Sequence, residues 1–156
     1  MDEALAAAEA AADLDAEPEA LLLLAWARLL KGDAMAALES LGMARALGAT
    51  AASLDVLEGR AQLLRGDEAA ADAALERALN QGVDEADLQA LRAQVAFRRG
   101  DTGTAIRALD RARARSPKRP ELQAQLGQVL RAAGQDEQAA ERYARAAELD
   151  PEQPDY

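Results

Sequence analysis

The side chains able to do chemistry in this chain are of few kinds. Its 156 residues hold 28 Asp and Glu and 18 Lys and Arg, but no His and no Cys. Paired carboxylates can act as acid and base, and a serine can attack when a base activates it. Without His or Cys no Ser–His or Cys–His pair can form, and the commonest general base near neutral pH is absent. Ser40, Ser53 and Ser116 stand outside any Gly-x-Ser-x-Gly turn. The glycines are spread along the chain and form no phosphate-cradling loop. Asp13, Asp15 and Glu17 are a candidate Ca²⁺ cluster, yet they lack the glycine and distal Glu of an EF-hand loop. The absence of Cys excludes disulfides and thiolate metal sites and leaves the redox compartment unread. The remaining carboxylates fall mostly at turns and on outer faces. The expectation is a chain that is not an enzyme, with no catalytic residue, cofactor or metal.

Charge narrows the partners. The net charge is −10, which argues against nucleic acid. Residues 1–20 carry seven acids and no base, whereas residues 91–131 carry ten Lys and Arg against three acids. Within the latter, Arg107, Arg111, Arg113, Arg115, Lys118 and Arg119 form a basic run suited to an acidic partner. Arg113 and Arg115 also have a structural use, because they fall in a last helical turn, where positive charge is favoured. No aromatic residues are interleaved for base stacking. The oppositely charged regions and uncapped ends offer a route to self-association.

These groups must be positioned by helices. Half of the chain is apolar, mostly Ala and Leu, and the aromatics are only Trp26, Phe97, Tyr143 and Tyr156. Ala and Leu favour helix, and small side chains let helix axes approach closely. Four columns recur every 34 residues: Gly32, Gly66, Gly100, Gly134; Ala37, Ala71, Ala105, Ala139; Leu41, Leu75, Leu109, Tyr143; and Ala44, Ala78, Ala112, Ala146. Each glycine follows a helical stretch and accepts the left-handed conformation that ends it. Asp33, Asp67 and Asp101 follow directly and start the next helix. Pro117 and Pro151 stop the second helix of two units. The unit is helix A, tight turn, helix B, loop. The apolar run over residues 20–30 is interrupted by Arg28 and falls short of the ~20 residues of a membrane span.

A 34-residue helix–turn–helix with Ala-x3-aromatic and a closing Pro resembles the tetratricopeptide repeat. The last unit matches best, with Leu126-Gly127-x2-Leu130, Gly134, Ala139-x3-Tyr143, Ala146 and Leu149-Asp150-Pro151. Gln123 stands where the family has Trp, and the first three units depart on helix A, whose apolar residues lie about one position early. The resemblance implies a right-handed all-α solenoid of about nine helices. It sets repeats at 18–51, 52–85, 86–119 and 120–153, after an N-terminal helix over 1–17 that is similar to a half-repeat and before a tail at 154–156. All are expected in one domain, and the chain is expected to be a piece of a longer solenoid.

The resemblance also implies a concave groove lined by helix A. Its positions fall on Glu19, Leu22, Trp26 and Leu29; on Ser53, Val56, Arg60 and Leu63; on Asp87, Ala90, Gln94 and Phe97; and on Glu121, Ala124, Gln128 and Arg131. The expected partner-binding residues are Leu22, Trp26, Leu29, Val56, Arg60, Leu63, Gln94, Phe97, Gln128 and Arg131. The opposing expectation makes Trp26 and Phe97 ordinary core. An aromatic anchor beside Arg is hot-spot composition. The implied partner is a protein or peptide with apolar side chains and some negative charge. Lys and Asn, which clamp a C-terminal carboxylate in the chaperone-binding members, occupy none of these positions. The implied function is a scaffold or adaptor in the cytoplasm or periplasm. The alternatives are a non-catalytic domain of a larger glycosyl- or sulfo-transferase and a periplasmic component of bacterial polysaccharide export or secretion.

Overall fold

The computed structural model describes residues 17–151, which form eight helices and no strand. They are α1 (Pro18–Leu30), α2 (Ala34–Ala46), α3 (Ala52–Arg65), α4 (Glu68–Asn80), α5 (Ala86–Arg98), α6 (Thr102–Arg115), α7 (Pro120–Ala132) and α8 (Asp136–Leu149). Successive helices pack as four hairpins, α1 with α2, α3 with α4, α5 with α6 and α7 with α8. The N-terminal helix expected over residues 1–17, the candidate Ca²⁺ ligands Asp13 and Asp15, and the tail at 154–156 lie outside the described residues, apart from Glu17. The chain divides into two compact units, one ending at Val83 and the other beginning at Asp84.

The turns follow from steric necessity. Gly32, Gly66, Gly100 and Gly134 have φ of 78°, 78°, 79° and 75°, a region that strains any residue with a Cβ. A second glycine pair, Gly48 (φ 91°) and Gly82 (φ 84°), ends α2 and α4 in the same way. In the second unit Ser116 and Asp150 cap α6 and α8 directly before Pro117 and Pro151. Pro18 and Pro120 sit in the first turns of α1 and α7, where the missing N–H has no partner to lose. Asp33, Asp67 and Asp101 accept hydrogen bonds from the backbone N–H of Ala36, Ala70 and Thr104 at 3.0, 2.9 and 2.9 Å. Gln135 takes that place before α8 and makes no side-chain cap.

Asp101 shows the electrostatic side of this capping. The hydrogen bonds from Thr104, side chain first and backbone next, outweigh a small opposing desolvation and hold its carboxyl below the ordinary range, with Arg107 adding to the effect. A carboxyl lowered in the folded state stabilises above its unfolded pKa and loses that contribution as pH falls through the folded one. Asp101→Ala is therefore expected to lower Tm at neutral pH. The gap from wild type should close as pH drops through and below the usual carboxylate range. A gap independent of pH would show that the carboxylate's charge is not what caps α6.

The small-residue columns form the cores. Ala37, Ala71, Ala105 and Ala139 are buried, as are Ala44, Ala78, Ala112 and Ala146, so neighbouring helices close on Cβ atoms. In the first unit Ala37 and Ala44 pack with Leu21, Ala25, Leu29, Leu41 and Leu54. In the second, Leu109, Leu122, Leu126 and Leu130 fill the same role, with Phe97, Ile106 and Tyr143 against them. Fully burying one such Leu is worth roughly 1.5–3 kcal/mol. Helix A turns the same face inward in every hairpin: Leu21, Asp55, Gln89 and Gln123 are all buried, and so are Ala25, Gly59, Ala93 and Gly127. The departure of the early units is thus one of side-chain chemistry at a shared seat rather than of helix rotation. Among the described residues no helix is long and apolar enough to cross a membrane.

Candidate partner-binding surface

In the first unit α1 and α3 touch one another. On α1, Leu23, Trp26 and Leu30 recur at helical spacing and are 63%, 47% and 46% exposed; Leu64, in the register of Leu30 on α3, is 51% exposed. Trp26 is therefore not a core residue. Leu22, on the same helix, and Val56 and Arg60, on α3, are half-buried. Leu29 and Leu63 behave otherwise: both are buried, Leu29 within the apolar core, so neither offers a surface. The exposed leucines lie one residue later, at Leu30 and Leu64. The recurrence of Leu29-Leu30 as Leu63-Leu64 after 34 residues is a signal for them, but it does not say which of the two leucines faces out.

In the second unit Gln94, Gln128 and Arg131 are exposed, and Phe97 is half-buried against the core. Arg131 lies over the Tyr143 ring, 5.9 Å from its centroid, a cation–π contact that fixes the guanidinium. The basic run is largely engaged within the fold. Arg113 donates to Asp110 at 3.0 Å, Arg119 to Asp87 at 2.7 Å, Arg107 to the Thr104 hydroxyl at 2.8 Å, and Arg115 to Asp84. Two of these bonds lie within α6 and two reach residues at the start of α5, so the run is a weaker attractor than the count of arginines implies.

A second polar feature, which spacing alone does not disclose, sits at the joint between the first two hairpins. Asp55 is buried on α3. Its Oδ1 accepts from Arg45 Nη2 and from Arg77 Nε, both at 2.9 Å, and its Oδ2 accepts from Gln81 Nε2 at 2.6 Å. Glu58 Oε2 accepts from the same two arginines at 2.7 and 2.9 Å. Desolvation disfavours the charge on Arg77, but the Asp55 hydrogen bond and the attraction of Glu58 and Asp55 prevail and raise its pKa. Arg45, Asp55, Arg77 and Gln81 line a cleft of about 410 Å³ with Ala49, Thr50, Ala51 and Leu54. The network joins α2, α3 and α4, and its four charges cancel. Among the described residues no group of three or more acids is placed to hold a metal ion.

Short helical hairpins that bury alanine at their crossings, turn on left-handed glycines and display apolar side chains from helix A define a helical-repeat protein. Residues 96–156 match the family model for the tetratricopeptide repeat. The whole chain resembles solved tetratricopeptide-repeat structures. The thermophilic repeat protein TTC0263 of Thermus thermophilus is 25% identical, with 99% of this chain and 85% of that chain covered and a TM-score of 0.86. MamA is 24% identical over 99% of this chain and 91% of its own, with a TM-score of 0.76. YrrB, described as having an unusual peptide-binding site, is 22% identical over 93% of this chain and 75% of its own, with a TM-score of 0.72. No curated protein matches the sequence. Together these findings place a tetratricopeptide repeat within residues 96–156 and show that the chain has the fold of tetratricopeptide-repeat structures.

Proposed function

We propose that the chain is a non-catalytic scaffold that holds a protein or peptide on the outward face of its first-unit A helices, with Trp26 as the central anchor. The observation that carries this is the exposed apolar group Leu23, Trp26, Leu30 and Leu64, which falls on the two touching A helices of the first unit. An apolar surface of this kind gains from being covered, and a central aromatic residue is the usual energetic focus of such contacts. The peptide-binding site named for YrrB, a structural relative, agrees with such a use of the fold. Val56 and Leu22 would form the shoulders of the site. In the second unit the corresponding positions, Gln94, Phe97, Gln128 and Arg131, would offer a more polar face of its own.

The test uses the immobilised chain, partners recovered from a lysate of the source organism, and Trp26→Ala as control. The substitution is expected to weaken a recovered partner by roughly 10- to 100-fold, the range of a hot-spot truncation, with Tm changed little. A large fall in Tm would return Trp26 to the core, and equal binding by both chains would remove the anchor.

A further inference from the structure

Arg60 is unlike the other arginines of the first unit. Arg45 and Arg77 share Asp55 and Glu58, Arg28 donates to the Ala36 carbonyl and the Ser40 hydroxyl, and Arg65 donates to Gln62. Arg60 makes no hydrogen bond or ion pair among the described residues, and it is half-buried. Its neighbours at three and four residues along α3 are Val56, Leu57, Leu63 and Leu64, all apolar, so its own helix offers no carboxylate. In the register of the repeat it matches Trp26 on the touching helix α1, while Gln94 and Gln128 hold that position in the second unit.

Resting on the scaffold reading, we infer that the first unit recognises an amphipathic helix whose apolar stripe is interrupted by one carboxylate, and that Arg60 is the residue that selects it. An apolar segment laid over Leu23, Trp26, Leu30 and Leu64 takes Arg60 out of water. A guanidinium buried without a counter-charge is strongly disfavoured, so a wholly apolar or basic partner is rejected. An Asp or Glu opposite Arg60 removes that penalty with a charge-assisted, geometrically matched bond. The form of the partner follows from the stripe. Leu23 to Leu30 spans two helical turns, about 10.5 Å at 1.5 Å per residue. The channel between two adjacent helices accepts a third helix with apolar residues every three or four positions.

The probe is a displayed library of randomised, helix-favouring peptides about 14 residues long, four turns, panned on the intact chain. Affinities are then read from the emission of Trp26, the only tryptophan in the sequence. The enriched peptides are expected to carry apolar residues at helical spacing around an invariant Asp or Glu. Changing that acid to its amide should weaken binding about tenfold or more. Panning on Arg60→Glu should enrich Lys or Arg at the same place. Arg60→Gln, which copies Gln94 and Gln128, should bind the acid and the amide alike; both variants should keep the wild-type circular dichroism. Peptides that need Trp26 but show no preference for an acid, or an unchanged preference with Arg60→Glu, would overturn the role of Arg60 while leaving the docking face in place. No enrichment, or enrichment that survives Trp26→Ala, would overturn both.

Discussion

Asp55→Ala is expected to lower the stability of the first unit by about 2–3 kcal/mol, measured by chemical denaturation. Removing one partner from a buried ion pair typically costs about 3–5 kcal/mol, because the other charge is left buried and unanswered. The value here is smaller because the Arg45 and Arg77 side chains are 48% and 41% exposed and recover some hydration. Glu58 also keeps one hydrogen bond from each of them. Gln81 loses its acceptor altogether. The first hairpin suggests a control, since Leu21 occupies the seat of Asp55 and Met43 that of Arg77. Leu24 likewise holds the seat of Glu58, so the fourfold change Asp55→Leu, Glu58→Leu, Arg45→Ala, Arg77→Met removes all four charges together and should regain most of the loss, as exchanges of buried ion pairs for apolar groups often do. A loss below about 0.5 kcal/mol for Asp55→Ala, the ordinary scatter of surface changes, would show that the carboxylate does not hold the joint together.

That joint marks where reading the sequence stops. The turn glycines are legible because a positive φ is a steric demand that one residue type meets without strain, and the same demand recurs every 34 residues. The alanine columns are legible because close helix crossings tolerate little else. Asp55 is not legible. A carboxylate on an amphipathic helix is expected in solvent, and its partners Arg45, Arg77 and Gln81 lie 10, 22 and 26 residues away. They converge only when three helices pack. The binding face is legible in part. Trp26 and Arg60 stand out by type and register, but spacing places Leu29 and Leu63 beside them, and the structure buries both. One step along a helix turns a side chain by about 100°, so an error of one residue moves it from groove to core.

Gly59→Leu is expected to destabilise by about 3 kcal/mol, the upper part of the overpacking range, and Gly59→Ala by about 1–2 kcal/mol. A Cβ on Gly59 would lie 2.6 Å from Leu75 Cδ2, 2.8 Å from Leu75 Cγ and 3.5 Å from the Ala71 carbonyl oxygen. Leu75 is fully buried, so it cannot swing out into solvent, and α3 must back away from α4. The gain of about 1 kcal/mol in helix propensity from Gly to Ala does not offset that. Gly127 is the control. A Cβ there meets the Tyr143 ring at 3.0 Å, but the ring is only half-buried and has room to shift. Gly127→Ala should therefore fall within about 0.5 kcal/mol of wild type, with propensity and contact nearly cancelling. Shortening Leu75 in the Gly59→Ala background should make the pair cost less than the sum of the single changes, the signature of direct contact in a double-mutant cycle. Strict additivity would mean that α3 and α4 do not meet at this point. The contact also reaches the binding face. Gly59 precedes Arg60, so a shift of α3 away from α4 displaces Arg60 against Trp26. Gly59→Ala should accordingly weaken acid-bearing helical peptides even under conditions where the chain remains fully folded.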